Sequence, residues 1–353
     1  MLVKSAKTDI RALSAEELKK VFQEMGEQSF RAKQVFEWLW KKSARSFDEM
    51  SNLSKELRQK LNEHFSINNV EIHSSQISSD RTIKNAFRLF DGNIVEGVLI
   101  PTTTRMTACI SSQVGCSLTC KFCATGKLNR IRNLNADEIY DQVVLIKNQA
   151  EEKYQTPLTN IVYMGMGEPL LNYNNVITSI DKITSPDGLN MSPQRITVST
   201  AGIAKMIKKL ADDDVKFNLA LSLHAASDTK RNYIMPINEH NSLMALEEAL
   251  IYFYNKTGTR PTFEYIVFKD FNDAIEDAAE LSAFCKKVPS KVNIIEYNPI
   301  DEGEFQQTLP VRLDKFKTYL ENKGIIVNVR RSRGKDIDAA CGQLANKNKA
   351  VLK

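Results

Sequence analysis

The chain of 353 residues is poor in the residues that interrupt or cross-link a fold, with only 14 Gly, 10 Pro and 6 Cys. So little glycine and proline excludes collagen-like and low-complexity chains, and a hydrophobic content of 42% excludes a disordered one. No apolar run approaches the roughly 18 residues of a membrane helix, and the opening segment, MLVKSAKTDIRAL, lacks the apolar centre of a secretion signal. We therefore expect a soluble, cytoplasmic globular protein with a large core.

The chain also lacks a strong charge of either sign. Lys and Arg together number 48 against 43 Asp and Glu, which gives a formal net charge of +5. The sequence pI of about 8.7 stays below the value of about 9 above which a domain is typical of nucleic-acid binding. Charge alone thus permits an anionic partner without requiring one.

The hydrophobic pattern divides the chain into four parts. The first is a small basic helical domain, in which Ser14 and Glu17 form a capping-box pattern; its basic faces are either ordinary solvated surface or an RNA-docking surface. The second is a linker or hairpin with a turn at Asp91-Gly92, the third alternates strands with helices, and the fourth is a polar, basic tail. The predicted boundaries are 1–67, 68–104, 105–331 and 332–353.

The third part predicts an α/β fold. Its strands are almost continuously apolar and alternate with helices, which indicates a parallel sheet covered by helices. Six strand–helix units and a closing strand fit either a doubly wound sheet or a barrel-like sheet, and in both folds ligands bind at the carboxyl ends of the strands. The predicted strands are MTACIS, NIVYMGM, RITVST, KFNLALSL, PTFEYIVF, KVNIIEYN and IIVNVR.

The strongest chemical pattern is a C-x3-C-x2-C run directly after the first of these strands, formed by Cys116, Cys120 and Cys123. Three thiolates in one loop can converge on one soft metal centre. A structural zinc site and a fully ligated iron–sulfur cubane each take four protein ligands, so three cysteines leave one iron of a [4Fe–4S] cluster open to a small molecule. The spacing, with Phe122 before the last cysteine, resembles the signature of the radical SAM superfamily, in which the open iron binds S-adenosylmethionine (SAM). The alternative is a zinc site that takes Cys109 as its fourth ligand.

Further candidate ligands stand where predicted strands end. The segment Met164–Pro169 resembles the glycine-rich motif that binds the SAM amine, and Glu168 can accept a hydrogen bond from an ammonium group. A dinucleotide-binding GxGxxG motif is excluded because Leu170 replaces its third glycine. Each strand-end residue alone is also typical of a turn cap or, for His224, of a packed core; together they predict a SAM pocket. The set is Gly167, Glu168, Ser199, Ser222, Leu223, His224 and Asn298.

Two more thiols and one carboxylate are candidates for the chemistry itself. Cys341 lies among small residues beside Gly342, so it is either a bystander or a thiol able to swing into an active site. Cys109 lies in the first predicted strand, and Cys285 is interpreted as a packed helix residue. Glu96 interrupts an apolar run, which fits either a solvent-facing strand position or a general base in a poorly hydrated site.

Taken together, the motifs resemble the radical SAM RNA methyltransferases of the RlmN/Cfr group over nearly the whole chain. The matching segments are ACISSQVGCSLTCKFCATG, RNLNADEIYDQV, GEP, SLHA and DIDAACGQL, and FRAKQVFEWLWKK is similar to the RlmN branch. The resemblance implies a partial (β/α)6 barrel of radical SAM type with a small N-terminal helical domain. It places a [4Fe–4S] cluster on Cys116, Cys120 and Cys123 and SAM on the strand-end set above.

The resemblance also implies the reaction, methylation of adenine carbon 2 with two SAM molecules per turnover. One SAM methylates Cys341; the other, on the cluster, gives a deoxyadenosyl radical that activates this methyl group for addition to the ring. Glu96 then takes the ring proton, and Cys109 forms a disulfide with Cys341 as the methylated RNA is released.

The implied substrates are an adenine of 23S rRNA in the peptidyl-transferase centre and the tRNA adenosine next to the anticodon. The basic N-terminal helices and the run Arg330-Arg331-Ser332-Arg333 are candidates for phosphate contacts. The other implied partner is an external, flavodoxin-like electron donor, and we expect a monomer.

Three alternatives stay open at this point. A Cfr-type enzyme methylates carbon 8 of the same ribosomal adenine with the same motifs, and only the N-terminal segment favours carbon 2. The other two are a radical SAM enzyme acting on a peptide or small molecule, and a zinc-bearing RNA-binding module.

Overall fold

The computed structural model describes residues 7–346, and its first segment is a group of three helices. Residues 1–6 of the predicted N-terminal domain and 347–353 of the predicted tail lie outside the described residues. Ser14 caps the first helix, and its backbone N–H in turn donates to Glu17, so the predicted capping box is confirmed. A short parallel strand pair brings the two ends of this helical segment together. Its elements are β1 (Thr8–Asp9), α1 (Ala15–Glu24), α2 (Ser29–Trp40), α3 (Lys55–His64) and β2 (Phe65–Ser66).

The next segment forms antiparallel strands at one edge of a ten-stranded sheet. The predicted hairpin at Asp91-Gly92 is confirmed, because the strands on either side of it pair in register. The second strand of the hairpin pairs with the first strand of the alternating region, so the hairpin and the core share one sheet. These strands are β3 (Glu71–Ile77), β4 (Ile83–Arg88), β5 (Ile94–Pro101) and β6 (Met106–Cys109).

A long loop follows β6 and contains the C-x3-C-x2-C run. Two short antiparallel strands, β7 (Gln113–Val114) and β8 (Arg132–Asn133), pair with each other and close the base of this loop. The loop is thereby held at the carboxyl end of β6.

The rest of the chain alternates helices with parallel strands. The ten-stranded sheet has the order β14-β13-β12-β11-β10-β9-β6-β5-β4-β3, in which the parallel strands follow one another without the reversal of a doubly wound sheet. The predicted α/β fold, a partial (β/α)6 barrel with a small N-terminal helical domain, is confirmed. The elements are α4 (Ala136–Tyr154), β9 (Asn160–Tyr163), α5 (Tyr173–Thr184), β10 (Ile196–Thr200), α6 (Ala204–Asp212), β11 (Asn218–Ser222), α7 (Asp228–Ile234), α8 (Leu243–Thr257), β12 (Thr262–Val267), α9 (Ile275–Lys287), β13 (Lys291–Glu296), α10 (Pro310–Asn322) and β14 (Val327–Arg330).

The N-terminal helices dock on α4 through a buried polar cluster. The guanidinium of Arg11 forms ion pairs with Asp137 at 3.2 Å and Asp141 at 2.8 Å. Beside it, the rings of Trp40 and Tyr140 pack edge to face at 5.1 Å. The helical segment is therefore fixed to the first helix of the barrel. No helix of the described residues is both long and apolar enough to cross a membrane.

Candidate active site

The three loop cysteines line one cavity at the carboxyl ends of the strands, which we name the cysteine cavity. Two tight turns shape the loop, since the N–H of Cys123 donates to the carbonyl of Cys120 at 3.2 Å and the N–H of Gly126 donates to that of Cys123 at 3.0 Å. Other residues that line the cysteine cavity are Gly167, Glu168, Ser199, Ser222, His224, Glu264, Arg330 and Cys341.

Burial makes these thiols weak acids. It raises the pKa of Cys116 to about 11 and also raises the pKa values of Cys120 and Cys123, with each neighbouring sulfur adding to the effect for Cys120. In the part of the chain that the structure describes, no three His, Cys, Asp or Glu side chains surround one point as the ligands of a single ion do. A cubane binds each cysteine at a different iron, so its ligands stand apart. Three cysteines that line one cavity fit such a cluster.

The motif after β9 supplies both a close backbone approach and a buried carboxylate. Gly167 has φ of +95°, and a Cβ there would lie 2.5 Å from the Cβ of Gln113, so only glycine fits. Both carboxylate oxygens of Glu168 accept backbone N–H groups, from Leu170 at 3.0 Å and Ala201 at 2.7 Å. Burial raises the pKa of Glu168, and these hydrogen bonds oppose the shift. The carboxylate is thus fixed on the cavity wall, where it suits an ammonium ligand.

His224 lines this cavity as a neutral imidazole whose tautomer is fixed. Its Nδ1 accepts the backbone N–H of Ile266 at 3.1 Å, and burial lowers its pKa to about 3. The proton of the neutral ring therefore lies on Nε2. The ring of Phe122 from the cysteine loop packs edge-on against the imidazole at 4.7 Å, and the hydroxyls of Ser199 and Ser222 meet at 3.3 Å on the adjacent strands.

Two predicted SAM contacts lie outside the lining of the cysteine cavity. Leu223 is fully buried, and its backbone bonds to Glu264 and Arg231. Asn298 donates from Nδ2 to the carbonyl of Cys341 at 3.2 Å, while its Oδ1 is buried without a hydrogen-bond partner among the described residues. Asn298 therefore positions the segment of Cys341 and keeps one acceptor for a further donor.

Cys341 lies where the cysteine cavity meets a second one, the arginine cavity. The segment after Cys341 is tied to the cysteine loop, because Ala124 donates to the carbonyl of Gly342 at 2.7 Å and Thr125 to that of Leu344 at 2.6 Å. The thiol thus borders both spaces. Residues that line the arginine cavity include Arg105, Arg330, Arg331, Arg333, Cys109 and Cys341.

Cys109 and Cys341 both line the arginine cavity, but no disulfide joins them. All six cysteines are free, so the structure contains no disulfide and the implied pairing stays a prediction. Burial raises the pKa of Cys109 to about 12; negative charge on Cys341 adds to this shift, and the Arg330 guanidinium opposes it. The two residues thus line one cavity, and negative charge on Cys341 acts on the thiol of Cys109. Cys285, as predicted, packs from α9 against the core.

Glu96 is buried in β5 and lies outside the lining of both cavities. Its Oε2 accepts the backbone N–H groups of Ala345 at 2.8 Å and Asn346 at 3.2 Å. The ammonium of Lys84 stands 3.9 Å from Oε1, which has no hydrogen-bond partner among the described residues. The solvent-facing interpretation is therefore wrong, and in this conformation the carboxylate holds the tail.

Two charged residues at the site, Glu264 and Arg231, were not predicted from the sequence. Glu264 lies on β12 and forms an ion pair with Arg330, the last residue of β14, at 3.2 Å. Arg330 carried the signal used for Ser199, a polar residue at the end of an apolar strand, but its neighbours directed attention to phosphate binding. Glu264 lies in the middle of its strand and carried no such signal. The second case is Arg231 on α7, which is fully buried. Burial lowers its pKa to about 10, against the opposing charges of Cys120 and Asp228; no sequence signal distinguished it from a surface residue.

Comparison with known proteins connects this site to a family. Residues 8–67 match the family described as the ribosomal RNA large subunit methyltransferase N-terminal domain, and residues 110–282 match the radical SAM superfamily. The chain is 66% identical over 338 residues to a probable dual-specificity RNA methyltransferase RlmN of Cytophaga hutchinsonii, with 96% of this chain and 93% of the relative covered. It is 43% identical to the dual-specificity RNA methyltransferase RlmN of Geotalea uraniireducens, with 98% and 99% covered.

A solved structure agrees with these relatives. The crystal structure of a radical SAM methyltransferase from Sphaerobacter thermophilus superimposes with a TM-score of 0.90 at 37% identity, and the match covers 96% of this chain and 99% of that one. The chain therefore belongs to the RlmN family of radical SAM RNA methyltransferases, enzymes that use a [4Fe–4S] cluster and S-adenosylmethionine.

Proposed function

We propose that this protein methylates carbon 2 of adenine in 23S rRNA, at the peptidyl-transferase centre, and in tRNA, at the adenosine next to the anticodon, through a methylated Cys341. The observation that carries the proposal is the position of Cys341 between the cysteine cavity and the arginine cavity. A methyl carrier has to reach a SAM-derived reactant on one side and an RNA base on the other. A thiol that borders both spaces meets this need.

On the first side, the chain offers groups that suit the cluster and SAM. Cys116, Cys120 and Cys123 would hold three irons of the cluster, and Glu168 would accept the methionyl ammonium. Ser199, Ser222 to His224 and Asn298 complete the proposed SAM contacts. Asn298 contributes through its free Oδ1, and Leu223 through backbone bonds that fix its neighbours Ser222 and His224. When bound, the cluster and SAM supply the radical that activates the methyl group on Cys341.

On the second side, the chain's own groups complete the transfer. The activated carbon on Cys341 bonds to the electron-poor carbon 2 of adenine and links protein to RNA. Glu96 takes the ring proton, which requires the backbone of Ala345 and Asn346 to leave its carboxylate. The unpaired electron of the adduct would return to the cluster. Cys109 then attacks the sulfur of Cys341 and the carbon–sulfur bond breaks; the electron pair of this bond stays with the carbon, which takes up a proton to become the methyl group, and a disulfide remains for a thiol reductant to open.

The arginine cavity supports a nucleic-acid substrate. Arg105, Arg331 and Arg333 line it together with Arg330, and guanidinium groups bind phosphates through paired hydrogen bonds. The target base has to leave its stack to reach a buried thiol, and phosphate contacts beside the opening would hold the flanking strand. The basic N-terminal helices are proposed to extend this contact surface.

The proposal includes the setting of the reaction. A flavodoxin-like donor supplies the electron, and the protein acts as a monomer in the cytoplasm. Its four parts are the helical domain 1–67, the hairpin segment 68–104 with Glu96, the barrel 105–331 and the tail 332–353 with Cys341. The match of residues 8–67 to the RlmN N-terminal family, together with relatives named dual-specificity RNA methyltransferase RlmN, supports carbon 2 over carbon 8.

The test is nucleoside mass spectrometry of rRNA and tRNA from a strain that lacks this protein, before and after complementation. We expect 2-methyladenosine to disappear from both RNAs and to return with the wild-type gene but not with Cys116→Ala. Loss of 8-methyladenosine instead would assign the carbon-8 reaction. No change in either nucleoside would overturn the proposal.

A further inference from the structure

Arg231 is a fully buried cation that lacks a carboxylate partner. Its relative exposure is 0%, and it forms no ion pair with any of the residues 7–346. The other deeply buried arginine, Arg11, forms ion pairs with Asp9, Asp137 and Asp141. Buried charges in proteins are normally paired, because removing an ion from water without a counter-charge is costly. Arg231 therefore calls for an anion that the chain alone does not supply.

The hydrogen bonds of Arg231 satisfy its N–H groups without neutralising it. It donates to the carbonyls of Ala201, Ser222 and Leu223 and to the side-chain oxygen of Asn238. These acceptors are neutral, and the three carbonyls lie at the carboxyl end of β11 and in the loops after β10 and β11, where the proposed SAM contacts also lie. The guanidinium is thus fixed to the backbone of Ala201 and Ser222, two residues that line the cysteine cavity.

The cysteine loop contacts the helix that carries Arg231. Cys120 is the first group whose negative charge stabilises the charged form of Arg231, and the second is Asp228, which Asn238 bridges by a hydrogen bond. The loop and the helix are directly joined, because Lys121 donates to the carbonyl of Ile234 at the end of α7 at 3.1 Å. Negative charge at Cys120 therefore acts on this guanidinium.

We propose that Arg231 is the buried counter-ion of the iron–sulfur cluster and raises its reduction potential. The inference rests on the assignment of Cys116, Cys120 and Cys123 as cluster ligands in the proposed function. Three thiolates outweigh the charge of the oxidised cluster core, and accepting one electron adds a further negative charge. A fixed positive charge stabilises the reduced state more than the oxidised one, so Arg231 is a positioning residue that eases electron uptake from the donor.

The test compares Arg231→Gln, which removes the positive charge, with Arg231→Lys. Lysine keeps the charge but cannot form all the hydrogen bonds that the planar guanidinium donates to the backbone carbonyls. Full-length proteins are reconstituted anaerobically, their iron and sulfide contents are measured, and the cluster is titrated by EPR at controlled potentials without SAM. At an effective dielectric constant of about 20, one unit charge within the same site changes an equilibrium by about tenfold. We expect the ratio of reduced to oxidised cluster in Arg231→Gln to fall about tenfold at the wild-type midpoint, and Arg231→Lys to stay near wild type.

Arg11→Gln is the matched control, since it removes a buried arginine on the helical domain, and its midpoint is expected to equal that of the wild type. If Arg231→Gln fails to take up the cluster while Arg231→Lys takes it up normally, the result also supports the proposal, because the two variants differ in the positive charge. If Arg231→Gln binds the cluster and its midpoint equals that of the wild type, the proposal is overturned. This holds also if the variant binds SAM more weakly, because Arg231 would then pair with the SAM carboxylate and not with the cluster. Equal failure of both variants would overturn it in favour of a purely structural brace. Failure of the wild type to bind a cluster would instead refute the proposed function.

Discussion

The carboxylate of Glu96 accepts the backbone N–H of Ala345 at 2.8 Å, although the two residues are 249 positions apart. Ala345 follows the candidate methyl carrier Cys341 by four residues, so a strand of the barrel wall restrains the segment that carries this thiol. The proposed base is thus occupied while the tail is docked. Departure of the tail would free the carboxylate and move Cys341 in the same event, which links the two proposed roles.

The first prediction concerns Glu96→Gln. Glutamine keeps an oxygen that can accept the N–H of Ala345 but is not a base near neutral pH. A positioned general base contributes about 10²–10⁴ to rate, so we expect 2-methyladenosine formation to fall at least about 100-fold while methylation of Cys341 persists. Single-turnover assays and intact-protein mass spectrometry measure the two quantities. The control is Glu71→Gln, a surface position on β3. Unchanged turnover in Glu96→Gln would remove Glu96 from the reaction.

The second prediction concerns Cys341→Ala. Removing the sulfur that borders both cavities abolishes the methyl carrier but leaves the cysteine loop intact. We expect no methylated adenine, with deoxyadenosine still formed from SAM. Cys285→Ala is the matched control because that thiol packs on α9, away from both cavities. Retained RNA methylation by Cys341→Ala would contradict the assignment.

The third prediction concerns Cys109→Ala. Without the second thiol of the arginine cavity, the proposed link between Cys341 and RNA cannot be resolved by disulfide formation. We expect covalent protein–RNA adducts to accumulate, visible as a nuclease-sensitive shift on a denaturing gel. If the variant shows neither trapped RNA nor reduced turnover, Cys109 has another role.

The sequence predicted the local parts of this site well, because their geometry is set within a few residues. The C-x3-C-x2-C spacing shapes its own loop, and apolar strands bring Ser199, Ser222 and His224 to one edge of the sheet. The partners of Glu96 and Asn298 were not predictable in this way. Both side chains bind the backbone of a tail without periodicity, and such contacts depend on tertiary packing that no spacing encodes.

Charged residues inside the barrel were harder to interpret for a different reason. Arg330 follows an apolar strand and precedes two more arginines, so its sequence context favoured phosphate binding, whereas the structure pairs it with Glu264 at 3.2 Å. Arg231 lies on α7, a helix of only seven residues, which is too short for a hydrophobic pattern to reveal a buried face. Burial and pairing of charge are properties of the assembled sheet.

The fourth prediction concerns Gly167→Ala. The added Cβ would lie 2.5 Å from the Cβ of Gln113, and Gln113 in turn accepts the N–H of Glu168 at 2.9 Å. A methyl group at positive φ costs about 1–2 kcal/mol, and the clash displaces the Glu168 backbone. We expect the Kd for SAM to rise at least about tenfold in calorimetry with reconstituted protein. The control is Gly258→Ala, which also has positive φ but meets nothing within 4 Å. Equal SAM affinity in both variants would contradict the prediction.

The fifth prediction concerns the pH dependence of stability at the docking cluster of the N-terminal helices. Three carboxylates surround Arg11, and burial raises the pKa of Asp137 to about 7, with Arg11 opposing the shift and Asp9 and Asp141 adding to it. The folded state thus holds this proton more tightly than the unfolded chain, whose aspartate pKa is about 3.9. The contribution of Asp137 to the free energy of unfolding is therefore full below about pH 4 and is lost as the pH rises towards 7.

Asp137→Asn replaces the protonated acid with a neutral amide and removes this dependence. We expect its Tm to equal that of the wild type near pH 4 and to exceed it by several degrees at pH 8, since one pKa unit is worth about 1.4 kcal/mol and about 2–4 °C per kcal/mol is typical of domains of 150–250 residues. Asp187→Asn, at an exposed position, is expected to give the same difference from wild type at every pH. A Tm difference for Asp137→Asn that is constant, or that shrinks as the pH rises, would mean that Asp137 is ionised in the folded protein and that Arg11 neutralises it.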